Sequence, residues 1–131
     1  MKVGFIGLGK MGAGICSNIV KNGIDVVVYD INPANMQKFV EFATFEVEDA
    51  ELIVVAYGSI GRIAKNAVRS LRAKGKKVGL LRPITLYPFP EKELEKLAKA
   101  GKRFLTIEHN LGQMVEDVRL SVRKHADSDL F

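Results

Sequence analysis

Apolar residues in this chain fall in short unbroken runs, separated by stretches in which they recur every three or four positions. The first pattern is that of strands buried on both faces, and the second that of amphipathic helices. Lys2–Ile6 reads as a strand that ends in glycines. Met11–Asn22 reads as a helix, with Met11, Ile15, Ile19 and Val20 on its stripe and Gly23 as its stop. Asp25–Tyr29 is a second strand. Asn32 and Pro33 then open a short helix carrying Met36, Phe39 and Val40. Thr44–Val47 alternates and reads as either a short edge strand or an extended connection. Glu51–Tyr57 is the strongest strand, followed by a helix with Ile60, Ile63, Ala64, Ala67, Val68 and Leu71 that stops at Gly75. Lys77–Leu81 is a strand ended by Arg82-Pro83. A proline-punctuated loop over Tyr87–Pro90 leads to a helix over Glu91–Ala100 and a fifth strand over Arg103–Ile107. The last helix is Leu111–Arg123, and the polar stretch His125–Phe131 is expected to fray.

Strands alternating with helices predict an α/β fold of three layers, α/β/α, around a five-stranded, mainly parallel, Rossmann-like sheet. Numbered along the chain, the expected strand order is 2-1-3-4-5, which keeps the first and third strands adjacent as a nucleotide-binding half requires. The alternative is 2-1-5-3-4, with the fifth strand beside the third. A length of 131 residues fits one domain, 1–131, made of a dinucleotide-binding half (1–42) and a second half (43–131).

The turn after the first strand, Gly7-Leu8-Gly9-Lys10-Met11-Gly12, fits G-x-G-x-x-G in the context that gives the pattern meaning, between a strand and a helix. Gly7 permits the tight turn, Gly9 lets the backbone approach a pyrophosphate, and Gly12 lets the helix lie close to the strand. The free N–H groups of the helix start then face the phosphates. Asp30 ends the second strand near the roughly 20-residue offset of an acid that binds the adenine ribose, and its charge favours NAD over NADP. The plainer alternative is a tight turn with Asp30 solvating a loop.

The stretch KVGFIGLGKMG, a helix, then VVVYDINP resembles the opening of the β-hydroxyacid dehydrogenases, in particular the 3-hydroxyisobutyrate dehydrogenase group, over residues 1 to about 39. That resemblance implies that Gly7 to Gly12 and Asp30, Ile31 and Asn32 line an NAD site. From about Thr44 the chain resembles a different family. EVEDAELIVVAYGSIGRIAKNAV, KKVGLLRPITLYPFPEKELEKLA and HNLGQMVEDV are similar to the α subunit of 2-oxoacid:ferredoxin oxidoreductases, in its small domain related to the transketolase C-terminal domain. The seam lies near Phe39–Phe45. Joining the halves would place Tyr57, Gly58 and Ser59 where a dehydrogenase offers its loop under the nicotinamide side. Two resemblances in one chain imply an engineered chimera, with a natural fusion as the alternative. Neither parental activity is expected. The dehydrogenases keep their catalytic lysine in a later domain. The ferredoxin enzymes need thiamine diphosphate, further domains and iron–sulfur clusters.

Composition narrows the chemistry further. Cys16 is the lone cysteine, so neither a disulfide nor a cysteine-ligated cluster forms within the chain. His109 and His125 lack metal-ligand spacing, and no metal is expected. The net charge of +5 is spread along helix faces, as in Arg62, Lys65, Arg69 and Arg72, which reads as solvated surface rather than a nucleic-acid site. No apolar run approaches the ~20 residues that span a bilayer, and no signal peptide is read. The expectation is a cytoplasmic monomer or weak homodimer that binds a dinucleotide weakly and has no catalytic residue; the alternatives are a natural small NAD-dependent oxidoreductase or nucleotide-binding oxidoreductase subunit, and a purely structural α/β module with a vestigial loop. Three alternatives remain at the ends of the strands. Ser59 is expected to cap its helix. Arg82 offers either a phosphate contact or an ion pair with Glu108. His109 beside Glu108 reads as a loop histidine rather than an acid–base pair.

Overall fold

A computed structural model describes residues 2–131. They form two compact units, one holding the chain up to Val40 with Thr85–Pro88, the other Glu41–Ile84 and Phe89–Phe131.

The first unit is a single βαβ motif with a short helical tail. Strand β1 (Lys2–Ile6) pairs in parallel with β2 (Asp25–Tyr29), Lys2 opposite Asp25 and Ile6 opposite Tyr29. Helix α1 (Lys10–Lys21) crosses between them. It ends where Gly23 takes a φ of +75° and the N–H of Ile24 reaches back to the Ile19 carbonyl, a closure that glycine adopts without steric cost. Helix α2 (Pro33–Met36) has Pro33 in its first turn and is capped by Asn32, whose side chain accepts from the Ala34 N–H at 3.0 Å. Leu8, Cys16, Val28 and Met36 form the small core, with Phe5, Val26 and Phe39 packed against it. The opposite face of the strand pair carries Ile6, Val27 and Tyr29, all exposed.

The second unit contains β3 (Phe42–Phe45), β4 (Leu52–Val55), α3 (Gly58–Ala73), β5 (Val78–Pro83), α4 (Glu91–Lys99), β6 (Arg103–Thr106), α5 (Met114–Val122) and β7 (Ser128–Leu130). The sheet order is β3-β5-β4-β6-β7, with β3 antiparallel and the remaining pairs parallel. Alternate residues of the central strands feed two cores. Ile53, Val55, Leu81 and Phe104 pack with Leu94 and Leu97 of α4 and Met114, Val118 and Val122 of α5. Val54, Leu80 and Val78 pack with Ala64 and Val68 of α3 on the other side. The α/β class, the five-stranded and mostly parallel sheet, and helices on both of its faces are as expected.

The strand order is not. Ile53 pairs with Phe104 and Val55 with Thr106, so the fifth predicted strand lies beside the third and the order 2-1-3-4-5 is overturned. The alternative 2-1-5-3-4 has its 5-3-4 portion right. Both orders pair the second strand with the first correctly, but neither attaches that pair correctly, because β1 and β2 make a separate two-stranded sheet. The reason is competition for an edge. A strand has two hydrogen-bonding edges, and those of β4 are filled by β5 and β6, leaving none for β1. The five places in the sheet are completed by two strands at its margins. The Thr44–Val47 stretch resolves as an edge strand two residues earlier, because Glu46 turns to a φ of +55° and breaks the ladder. The tail does not fray. Ser128–Leu130 pairs with β6, and the buried Ser128 hydroxyl meets that of Thr106 at 2.9 Å.

Candidate functional site

The glycine turn is built by three different demands. Gly7 has a φ of +91°, a left-handed conformation that residues with a Cβ rarely adopt, and its N–H donates to the Tyr29 carbonyl at 2.9 Å. Gly12 sits against the turn itself. A Cβ there would lie 1.9 Å from the Gly7 carbonyl oxygen. Gly9 is different: its backbone is extended, at φ −60° and ψ −170°, and a Cβ would meet nothing within 4 Å. The fold therefore requires Gly7 and Gly12 but not Gly9. Gly9 is the N-cap of α1, and the first N–H groups beyond it have no intrahelical acceptor. The first turn of α1 itself holds no acidic residue. Lys10 and Met11 are exposed and Leu8 is buried.

Asp30 fastens this turn. Only 7% of it is exposed, and its carboxylate accepts from the Leu8 N–H, from the Asn32 N–H at 2.7 Å and from the Asn35 side-chain amide at 3.1 Å. A carboxylate has roughly four lone-pair sites, and these donors take three of them. What remains is capacity for one further donor such as a ribose hydroxyl. The Asn32 and Leu8 N–H groups hold the Asp30 carboxyl below the usual carboxylate range, against the opposing effect of burial, with Asn35 adding a little. The folded state thus favours the ionised form. Its contribution to stability is complete above the unfolded value near about 4 and fades as pH falls through the lower folded value. Protection of the Leu8 and Asn32 amides, taken relative to their intrinsic exchange rates, is expected to fall as pH drops below about 4, more than in an Asp30→Asn variant. An equal loss of protection in both would rule out Asp30 as the cause. The sequence offset located Asp30; that it binds its own loop, with Asn35 as partner, had no signal in the spacing. Ile31 and Asn32 follow it, the first exposed and the second capping α2.

Tyr57, Gly58 and Ser59 lie in the second unit, where β4 passes into α3. The Tyr57 hydroxyl accepts from the Asn110 side chain at 3.2 Å, and Asn110 in turn accepts from the Gly112 and Gln113 N–H groups. Gly58 has a φ of +57°. Ser59 does not cap α3. Tyr57 occupies the cap position without a side-chain bond, and Ser59 is already inside the helix. Glu108 is not Arg82's partner. It is buried, and its two carboxylate oxygens accept from the N–H groups of Met114 and Val115 at 2.9 and 3.0 Å, closing the start of α5. His109 is exposed, with no orienting partner among the described residues. Among the described residues no three His, Cys, Asp or Glu side chains gather as a metal site, and no helix is long and apolar enough to cross a membrane.

Two protein families match the chain. Residues 2–81 match the NAD binding domain of 6-phosphogluconate dehydrogenase, and residues 50–130 match the pyruvate:ferredoxin oxidoreductase core domain II. The chain belongs to both families. The ketoisovalerate oxidoreductase subunit VorB of Methanothermobacter marburgensis is 50% identical over 82 residues, 63% of this chain and 23% of that subunit. The 2-oxoglutarate synthase subunit KorA of Methanocaldococcus jannaschii is 47% identical over 76 residues, 58% of this chain and 20% of that one. The chain thus spans about a quarter or less of the length of these relatives. Among solved structures, a 2-oxoglutarate:ferredoxin oxidoreductase from Magnetococcus marinus, with 2-oxoglutarate, coenzyme A and succinyl-CoA bound, matches with a TM-score of 0.60 at 20% identity. That match covers 79% of this chain and 21% of the other, and shows the fold.

The two resemblances read from the sequence are thereby shown, with one extension. The dinucleotide-domain match runs past the glycine turn to residue 81, so residues 50–81 fit both families. In the structure that shared stretch lies in the five-stranded sheet, with β6 on the edge of β4. The oxidoreductase half thus takes the shared strands.

Proposed function

We propose that this chain is a dinucleotide-binding module without chemistry of its own, an engineered joining of a dehydrogenase phosphate-binding turn to an oxidoreductase α/β unit. The observation that carries this reading is Gly9. Gly7 is needed for its backbone angle and Gly12 for close packing, whereas at Gly9 the fold would accept a side chain. A glycine that the fold does not need, at the cap of a helix with free N–H groups and no acid in its first turn, leaves space for a ligand's phosphates. Asp30 keeps room for one ribose hydroxyl and would repel a 2′-phosphate, which favours NAD. Catalysis is not proposed because, among the described residues, no acid and base held by a third group accompany the turn.

A Cβ at Gly9 would meet nothing within 4 Å, so this turn by itself encloses little of a bound cofactor. Calorimetric titration with NAD is expected to give a dissociation constant between about tens of micromolar and millimolar, worth roughly 4 to 6 kcal/mol. Gly9→Val should abolish that heat while leaving the folded spectrum unchanged, since its side chain enters open space. Asp30→Ala is a poorer probe because it also releases the Leu8 and Asn32 amides. No heat from the wild-type chain at millimolar NAD, with no chemical-shift change at Gly7–Gly12, would make the turn purely structural. NADH formed from 3-hydroxyisobutyrate and NAD above the enzyme-free control would overturn the absence of chemistry.

A further inference from the structure

The second unit carries a cleft between α3 and the β3 edge of the sheet, lined by Ala43, Thr44, Phe45, Gly61, Leu80 and the cations Arg62, Lys65 and Arg82. Gly61 makes the room. A Cβ there would lie 3.1 and 3.2 Å from the Cδ and Cγ atoms of Arg82 and 2.9 Å from the Ala56 carbonyl oxygen, so the arginine stem lies against the bare helix backbone. Arg82 Nε is buried and finds no acceptor. The acid that the sequence offered to it, Glu108, is committed to the start of α5. Arg62, Lys65 and Arg69 recur at helical spacing along α3, and Lys65 and Arg69 lie 5.2 and 5.5 Å from the centre of the Phe45 ring. Among the described residues none of these four cations forms an ion pair, and Glu46, next to Phe45, is turned to Arg72 at 3.9 Å. No carboxylate lines the cleft.

A buried guanidinium donor with no acceptor is rare in folded proteins and calls for an explanation. Here positive charge converges on one small concavity, and an anion is the group that would offset it. We infer that this cleft is a phosphate-binding site. Size limits the ligand. The cavity of about 60 Å³ is far below the ~300–1,000 Å³ of pockets that enclose whole ligands, so it grips one group and leaves the rest of any larger molecule in solvent. A dianionic phosphate takes more benefit from three lining cations than a carboxylate does, and Arg82 can present its planar fork to two phosphate oxygens. Thr44, from β3, adds a hydroxyl at the rim. All of these residues belong to the second unit, so the site is independent of the glycine turn.

The test is a titration of the ¹⁵N-labelled full chain with inorganic phosphate at constant ionic strength, followed by amide shifts. Saturable shifts are expected at Gly61, Arg62, Lys65 and Arg82, with none on matched addition of chloride. The double variant Arg62→Ala, Lys65→Ala changes only exposed positions and is expected to weaken binding by at least about tenfold. Arg82→Met, which keeps the stem over Gly61, is expected to abolish it. Glycerol 3-phosphate supplies the second arm. Tighter binding than inorganic phosphate identifies an organic phosphate as the ligand, and weaker binding identifies the free ion. Shifts that grow linearly, that chloride reproduces, or that persist in Arg82→Met would overturn the inference. Saturable shifts confined to Gly7–Gly12 would overturn it while leaving the dinucleotide reading standing.

Discussion

Replacing Gly12 by alanine is expected to unfold the βαβ unit while the five-stranded unit stays intact. The added methyl would sit 1.9 Å from the Gly7 carbonyl oxygen and 3.4 Å from the Phe5 ring. The carbonyl oxygen is backbone and cannot swing aside as a flexible side chain would. Relief requires α1 to lift from β1 by more than an ångström (roughly the shortfall from ordinary contact), and that movement would open the contacts among Leu8, Cys16, Val28 and Met36. Overpacking in a rigid site costs about 1–3 kcal/mol and occasionally more, and this clash is at the upper end, about 3 kcal/mol. A core of so few buried side chains has little stability to lose. Hydrogen exchange should report lost protection at Val26–Tyr29 and Ile15–Ile19, with β4 and β6 unchanged. Gly9→Ala provides the control, expected to leave protection as it is. Native protection throughout Gly12→Ala would mean the turn can relax, and the packing role of Gly12 would fall.

The second large effect is expected at Glu108. Its carboxylate is the acceptor for two amides at the start of α5, and the residues that own those amides, Met114 and Val115, are themselves buried. Glu108→Ala leaves both donors without a partner in a place where water has little access. An orphaned buried donor costs roughly 1–3 kcal/mol, and the lost anion also removes a favourable interaction with the positive end of the helix. The sum is about 3 kcal/mol. With a urea dependence of about 1.5 kcal/mol/M for a unit of this size, the midpoint should fall by about 2 M. Glu108→Gln keeps one acceptor oxygen and should lose about half as much. A shift below about 0.3 M for the alanine variant would show that the helix start has another acceptor.

Some features were determined by the chain locally. The period of apolar residues placed β1, β2, β4, β5 and β6 and all the longer helices, because burial on one face or two imposes its spacing on any sequence that folds this way. Gly7 and Gly12 were legible because a left-handed turn and a close helix–strand approach each exclude a side chain. Asp30 was legible by its position at the end of a strand, and both family likenesses were legible in the motifs.

Partner choice was not local. The runs LIVV of β4 and RFLT of β6 specify strands without specifying neighbours, and tertiary packing decided that β6 takes the edge of β4 that a Rossmann half would assign to β1. That placement buries Phe104 with Leu94, Met114 and Val118 in one continuous core, an arrangement that depends on helices far along the chain. It also joined Ser128–Leu130 to the sheet, although nothing in that polar tail marks a strand. The same holds for buried polar groups. Which donors Asp30 and Glu108 would accept from, and that Arg82 would be left without an acceptor, depend on which backbone amides arrive beside them. Spacing along a chain determines what each segment wants to bury; only the folded arrangement determines which hydrogen-bonding groups are buried together.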